Sequence, residues 1–132
     1  MTPPLRLFRL ANPIVRAVLL SRAHRLLSST LVIVEYQGHR SGRPFRIPLR
    51  YATSPDGGLV AVAVQPEQKL WWRSFIERTS ATLTLRRQRI EVRGGLTDGE
   101  ARERSLAVYV ARYPRSAGVA RDAAVVVFTP DP

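Results

Sequence analysis

The sequence predicts a mainly β, α+β fold: one barrel of about six antiparallel strands with helices at its periphery. Three observations lead there. Short runs rich in Val, Ile and Leu alternate with turn signals of Gly, Pro, Asp and Ser. These runs come as consecutive hairpins, not as strands alternating with long helices. The 132 residues suit one domain, which can bury roughly two-thirds of its unfolded surface without staples.

The elements follow in order. Asn12 and Pro13 read as a helix start, N-cap and first helical position. Val15, Val18, Leu19, Ala23, Leu26 and Leu27 then keep helical spacing, with Arg16, Arg22 and Arg25 mostly off that stripe. The spacing predicts a helix over 13–28, and with it a basic amphipathic extension over 1–28. That helix either packs on the barrel or touches an anionic membrane surface. Thr30 to Gln37 reads as a strand, Gly38 to Pro44 as a turn, and Phe45 to Thr53 as a second strand. Pro48 within that strand implies a bulge or an edge position. The run from Ser54 to Gly58 is a hairpin turn, and Leu59 to Val64 is a strand apolar throughout, hence buried. A short helix is predicted over 69–78, a hairpin over 81–87 and 89–93, and a helix over 98–112 opened by a Thr97/Glu100 capping box. Leu106, Tyr109, Val110 and Tyr113 share one face of that helix. Pro114 stops it, and Ala123 to Phe128 is the last strand.

Composition narrows the chemistry. With no cysteine there is no disulfide, thiolate nucleophile or iron–sulfur ligation, and the compartment expected is the cytoplasm. His24 and His39 are the only histidines, so no metal site is expected. The segment from Leu5 to Leu27 is broken by Arg9, Arg16, Arg22 and Arg25 and does not read as a membrane span, although peripheral membrane association stays open. The net charge is +11, and nine of the twenty arginines share the first fifty residues with a single acid, Glu35. Such a field attracts phosphates, acidic small molecules, anionic lipid or nucleic acid.

No glycine-rich dinucleotide fingerprint, P-loop or paired carboxylates occur, and Ser41 lies one place late for a nucleophile elbow. Any chemistry is then expected from a bound cofactor. Three segments stand out. The turn Gly38-His39-Arg40-Ser41-Gly42-Arg43, with Arg46 behind it, is either an anion nest or an ordinary exposed hairpin. The segment from Gln65 to Phe75 holds Lys69, Trp71 and Trp72; one Trp faces a cleft, or both plug the barrel. Tyr109 and Tyr113 belong to the core or look onto a substrate.

The order of these segments resembles the deazaflavin-dependent nitroreductase and quinone reductase family. The turn G-H-R-S-G, the strand with Ile47-Pro48-Leu49, the apolar third strand and the W-W-R-S-F helix carry the resemblance over about Ser28 to Arg93. His39 stands where the family usually has Arg, Ser74 and Phe75 where it has Asn and Leu, and Ala63 to Pro66 replace a polar, Gly-rich stretch. The resemblance implies a split β-barrel, related in fold to flavin reductases and pyridoxamine-phosphate oxidases. It implies coenzyme F-420, with FMN as the alternative, and hydride transfer to a quinone, nitroaromatic or enone. By the same resemblance His39, Arg40, Ser41, Gly42, Arg43, Arg46, Pro48, Gln65, Lys69 and Trp72 would hold the cofactor, Tyr109 or Tyr113 would face the substrate, and a homodimer is expected. A different class, a non-catalytic basic module for nucleic acid or anionic membrane, is favoured by charge alone; no nucleic-acid motif supports it.

Overall fold

The computed structural model describes residues 30–85 and 87–130, so the helix expected over 13–28 lies outside the described residues. Among the described residues, seven strands form one antiparallel sheet in the order β2-β1-β5-β6-β7-β4-β3, curled into a split barrel. They are β1 (Leu31–Gln37), β2 (Pro44–Arg50), β3 (Ala52–Thr53), β4 (Leu59–Ala63), β5 (Thr79–Leu85), β6 (Gln88–Leu96) and β7 (Ala124–Pro130). Between β6 and β7 lie the helix α1 (Gly99–Arg112) and the single turn α2 (Ala117–Ala120).

The period of two along each strand sorts side chains between two cores. Val32, Val34 and Tyr36 of β1 point inward, and the register sets Val34 opposite Ile47 and Tyr36 opposite Phe45. β4 is apolar throughout because both of its faces are covered. Leu59, Ala61 and Ala63 join the barrel interior, while Val60 lies with Val125 and Ala52 under Tyr109 of α1. Pro48 sits on β2, an edge of the sheet, where its missing N–H costs no ladder bond.

The seventh strand arises where the sequence suggests one continuous run to Thr53. Tyr51 leaves the ladder there, burying its ring and donating its N–H to the Thr30 carbonyl at 2.9 Å. It is the one residue between β2 and β3, strands at opposite ends of the sheet order. The helix expected over 69–78 is instead two 3-10 turns, Pro66–Gln68 and Trp71–Phe75. Gln65 enters the first in the left-handed region at φ 54°, and Trp72 Nε1 donates to the Pro66 carbonyl at 2.7 Å, tying the turns together. The capping box is absent. Thr97 gives its hydroxyl and its N–H to the Val125 carbonyl, and Asp98 takes the N-cap without a side-chain bond.

Outside the barrel, Glu35 accepts from Arg46 at 3.0 Å and Arg89 at 2.9 Å. Partial burial raises its carboxyl pKa, but the two guanidiniums outweigh that and hold it below the ordinary 4.5. A depressed folded pKa contributes stability that is present above the unfolded value and lost as pH falls through the folded one. The urea midpoint should therefore drop on acidification below pH 4.5, and less so in Glu35→Gln. Parallel pH profiles of the two proteins would refute this.

Candidate functional site

The β1–β2 turn closes on itself. Gly38 N–H donates to the Arg43 carbonyl at 2.8 Å and Gly42 N–H to the Gly38 carbonyl at 3.0 Å, with Gly42 at φ +69°, a conformation suited to glycine. Arg43 N–H donates to Ser41 Oγ, and His39 N–H to Ser74 Oγ, each at 3.2 Å. Four backbone donors are thus consumed inside the protein. The turn's side chains, not a nest of its N–H groups, are what a ligand would meet.

Ser74, buried on the second 3-10 turn, docks that turn against β1–β2. Its Oγ also lies 3.2 Å from His39 Nδ1. Since Oγ already accepts from His39 N–H, its own hydrogen is free to go to Nδ1. In the tautomer that matches this arrangement Nδ1 accepts from Ser74 and Nε2 carries the proton as a donor. Ser74→Ala should cost about 1–2 kcal/mol, because His39 N–H loses its acceptor. It should also release the tautomer, read as a change in the His39 ring 15N shifts. Unchanged shifts would refute the Ser74–His39 coupling.

Between these segments lies a cleft of about 160 Å³. His39, Arg40 and Ser41 line it from the β1–β2 turn, and Leu70, Arg73 and Ser74 from the second 3-10 turn and the residue before it. Tyr36, Gly38 and Phe45 complete the lining, and no acidic residue belongs to it. Gly38 is required there, since a Cβ on it would come within 2.4 Å of Phe45 Cε2. Tyr36 is 5% exposed, and its hydroxyl has no hydrogen-bond partner among the described residues. Burial pushes its pKa well up, so it remains a protonated donor.

Of the ten cofactor candidates, the cleft gathers His39, Arg40 and Ser41. Gly42 shapes the turn, and the Arg43 side chain stays exposed outside the lining. Arg46 is engaged with Glu35, and Pro48 is paired in register with Ile33. Gln65, Lys69 and Trp72 lie just before or within the 3-10 turns without lining the cleft. Trp72 packs on the core with the Arg73 guanidinium 5.5 Å from its ring, while Trp71 is buried. Tyr109 and Tyr113 are not brought to this cleft. Tyr109 is buried and accepts from Arg50 Nε at 2.9 Å, and Tyr113 gives its hydroxyl to the Tyr51 carbonyl. The Arg50 guanidinium lies 4.1 Å from the Tyr113 ring. The sequence reading passed over Tyr36, Leu70, Arg73 and Ser74 as site residues. Tyr36 carried a signal: a hydroxyl-bearing aromatic in register with Val32 and Val34, two residues before the turn.

Among the described residues, no cluster of three or more His, Asp or Glu could hold a metal ion, and no helix is long and apolar enough to cross a membrane. No family model and no curated protein sequence matches the chain. Solved structures do resemble it. A domain-swapped dimer is 18% identical, with a TM-score of 0.63 over 81% of this chain and 93% of that one. An F-420-H2-dependent reductase is 19% identical, with a TM-score of 0.61 over 77% of this chain and 94% of that one. Protein Atu2129 of unknown function from Agrobacterium tumefaciens is 18% identical, with a TM-score of 0.59 over 87% of this chain and 57% of that one. At such identities the likeness is one of fold: this chain has a split β-barrel fold, which it shares with an F-420-H2-dependent reductase.

Proposed function

We propose that this chain is an oxidoreductase that binds coenzyme F-420, with FMN as the alternative, and reduces a quinone, nitroaromatic or enone. The observation that carries the reading is the cleft itself. Its lining includes Arg40 and Arg73, adds hydrogen-bonding groups from His39 and Ser41, and includes no acid. Neither guanidinium is in an ion pair among the described residues. A phosphate or carboxylate fits such a donor set, which supplies charge-assisted hydrogen bonds from a fork geometry. F-420 carries a phosphodiester and an acidic tail, and FMN a phosphate monoester. When bound, the cofactor supplies the hydride; the barrel residues bind, orient and exclude water. The cleft is smaller than the roughly 300–1,000 Å³ typical of small-molecule sites, so it takes one end of the cofactor. A second copy of the chain, as in the dimeric structural neighbour, would supply further surface for the rest. The proposal places the protein in the cytoplasm, with membrane contact through residues 1–28 as an addition to it.

Fluorescence titration with F-420 and FMN tests the reading, alongside a short single-stranded oligonucleotide at two salt concentrations. Saturable binding of one cofactor supports it. Salt-steep oligonucleotide binding with no response to either cofactor replaces it with the basic binding module.

A further inference from the structure

Tyr36 contributes a feature that the anion-holding arginines do not use. Its phenol is almost wholly enclosed, with the ring centroid 5.7 Å from that of Phe45 and 5.3 Å from that of Phe75. Its hydroxyl, unpartnered among the described residues, belongs to a side chain that lines the cleft. The hydroxyl is not among the fully buried unpartnered atoms, so a ligand entering the cleft can reach it. Phe45 beside it makes its surroundings unfavourable for a full charge, whereas Arg40 and Arg73 supply positive charge to the same cleft. A neutral oxygen suits the Tyr36 hydroxyl better than a charged one, and the two guanidiniums of the lining suit an anion.

We propose that the Tyr36 hydroxyl is a specificity-determining donor that binds a neutral hydroxyl or ester oxygen next to the phosphate of a polyol phosphate ester, the phosphate itself being held by Arg40 and Arg73. The arginine part rests on the proposed function; the Tyr36 part does not. The cleft thus distinguishes a phosphorylated polyol chain from free phosphate. Burial keeps the phenol protonated, so this discrimination persists across the neutral and mildly alkaline range.

The test compares glycerol 3-phosphate with inorganic phosphate, titrated calorimetrically into the wild-type chain and Tyr36→Phe. The variant keeps the ring contacts and loses no protein hydrogen bond, so it should fold. The wild type should bind the ester about three- to tenfold more tightly than inorganic phosphate, the worth of one hydrogen bond. Tyr36→Phe should bring the two to equal affinity by weakening the ester alone. As a second readout on the wild type, the Tyr36 13Cζ resonance should shift with glycerol 3-phosphate and not with inorganic phosphate. Equal affinities in the wild type would overturn the proposal, as would a preference that survives in Tyr36→Phe, an equal loss for both ligands, or no binding of either. F-420 and FMN, titrated into the same wild-type sample, separate the two readings. If neither cofactor binds while the ester preference stands, the flavin reading falls and the role of Tyr36 remains.

Discussion

Replacing Arg40 and Arg73 together with alanine is expected to weaken F-420 binding by roughly 3–6 kcal/mol, two charge-assisted hydrogen-bonding groups at about 1.5–3 kcal/mol each. The figure assumes that the effects add, which holds only if the two residues grip different oxygens. Arg43→Ala serves as the comparison. Arg43 is two residues from Ser41 and carries the same charge, but it is outside the cleft lining. If the summed field held the ligand, Arg43→Ala would cost as much as Arg40→Ala. If the cleft holds it, Arg43→Ala should cost under about 1 kcal/mol, as an exposed charge does. Deazaflavin fluorescence titrations of the three variants decide it, and equal losses for Arg40→Ala and Arg43→Ala would sink the cleft as the binding site.

Phe75→Ala should destabilise the fold by about 3–5 kcal/mol. Phe75 is fully buried, with Phe128 at 5.2 Å in an edge arrangement, Tyr36 at 5.3 Å and Trp71 at 6.3 Å between ring centroids. Gly94 on β6 makes room for this cluster, since a Cβ there would lie 2.7 Å from both Phe75 Cδ1 and Phe128 Cε1. The cluster also sets the height of Tyr36 in the cleft, so cofactor affinity should fall with stability. Urea unfolding and a cofactor titration on the variant check both. A loss below about 1 kcal/mol would show that the ring cluster does not hold the barrel interior.

The sheet was legible in the sequence because its signal is local: a Val- and Ile-rich run in β1, period-two alternation in β2, and a wholly apolar β4 between two cores. What was not legible depended on tertiary partners. Tyr51 is as good a strand residue as its neighbours, and only the pull of the core and of the Thr30 carbonyl makes it a break. Thr97 and Glu100 have capping-box spacing, but β7 claims the Thr97 hydroxyl first. The same holds at the site. Arg40 and Ser41 could be singled out because they sit in a short glycine-bounded turn. Ser74 could not, because its importance comes from His39, thirty-five residues away. Tyr109 and Tyr113 show the complementary case: their hydroxyls are engaged by Arg50 and the Tyr51 carbonyl, about sixty residues upstream, which their spacing on one helix face does not reveal.

The position of β7 has a consequence for how the protein is made. β7 lies between β6 and β4 and bonds to both, yet it follows each of them in the chain. During synthesis the β1–β2 and β5–β6 hairpins can form as they emerge. β4 and the outer edge of β6 then wait with open backbone donors and acceptors until Ala124–Pro130 arrives. A nascent chain stalled before that point exposes two sticky edges, one of them on the wholly apolar β4. Premature stops or ribosome pausing within α1 should therefore produce aggregates and not a smaller soluble barrel.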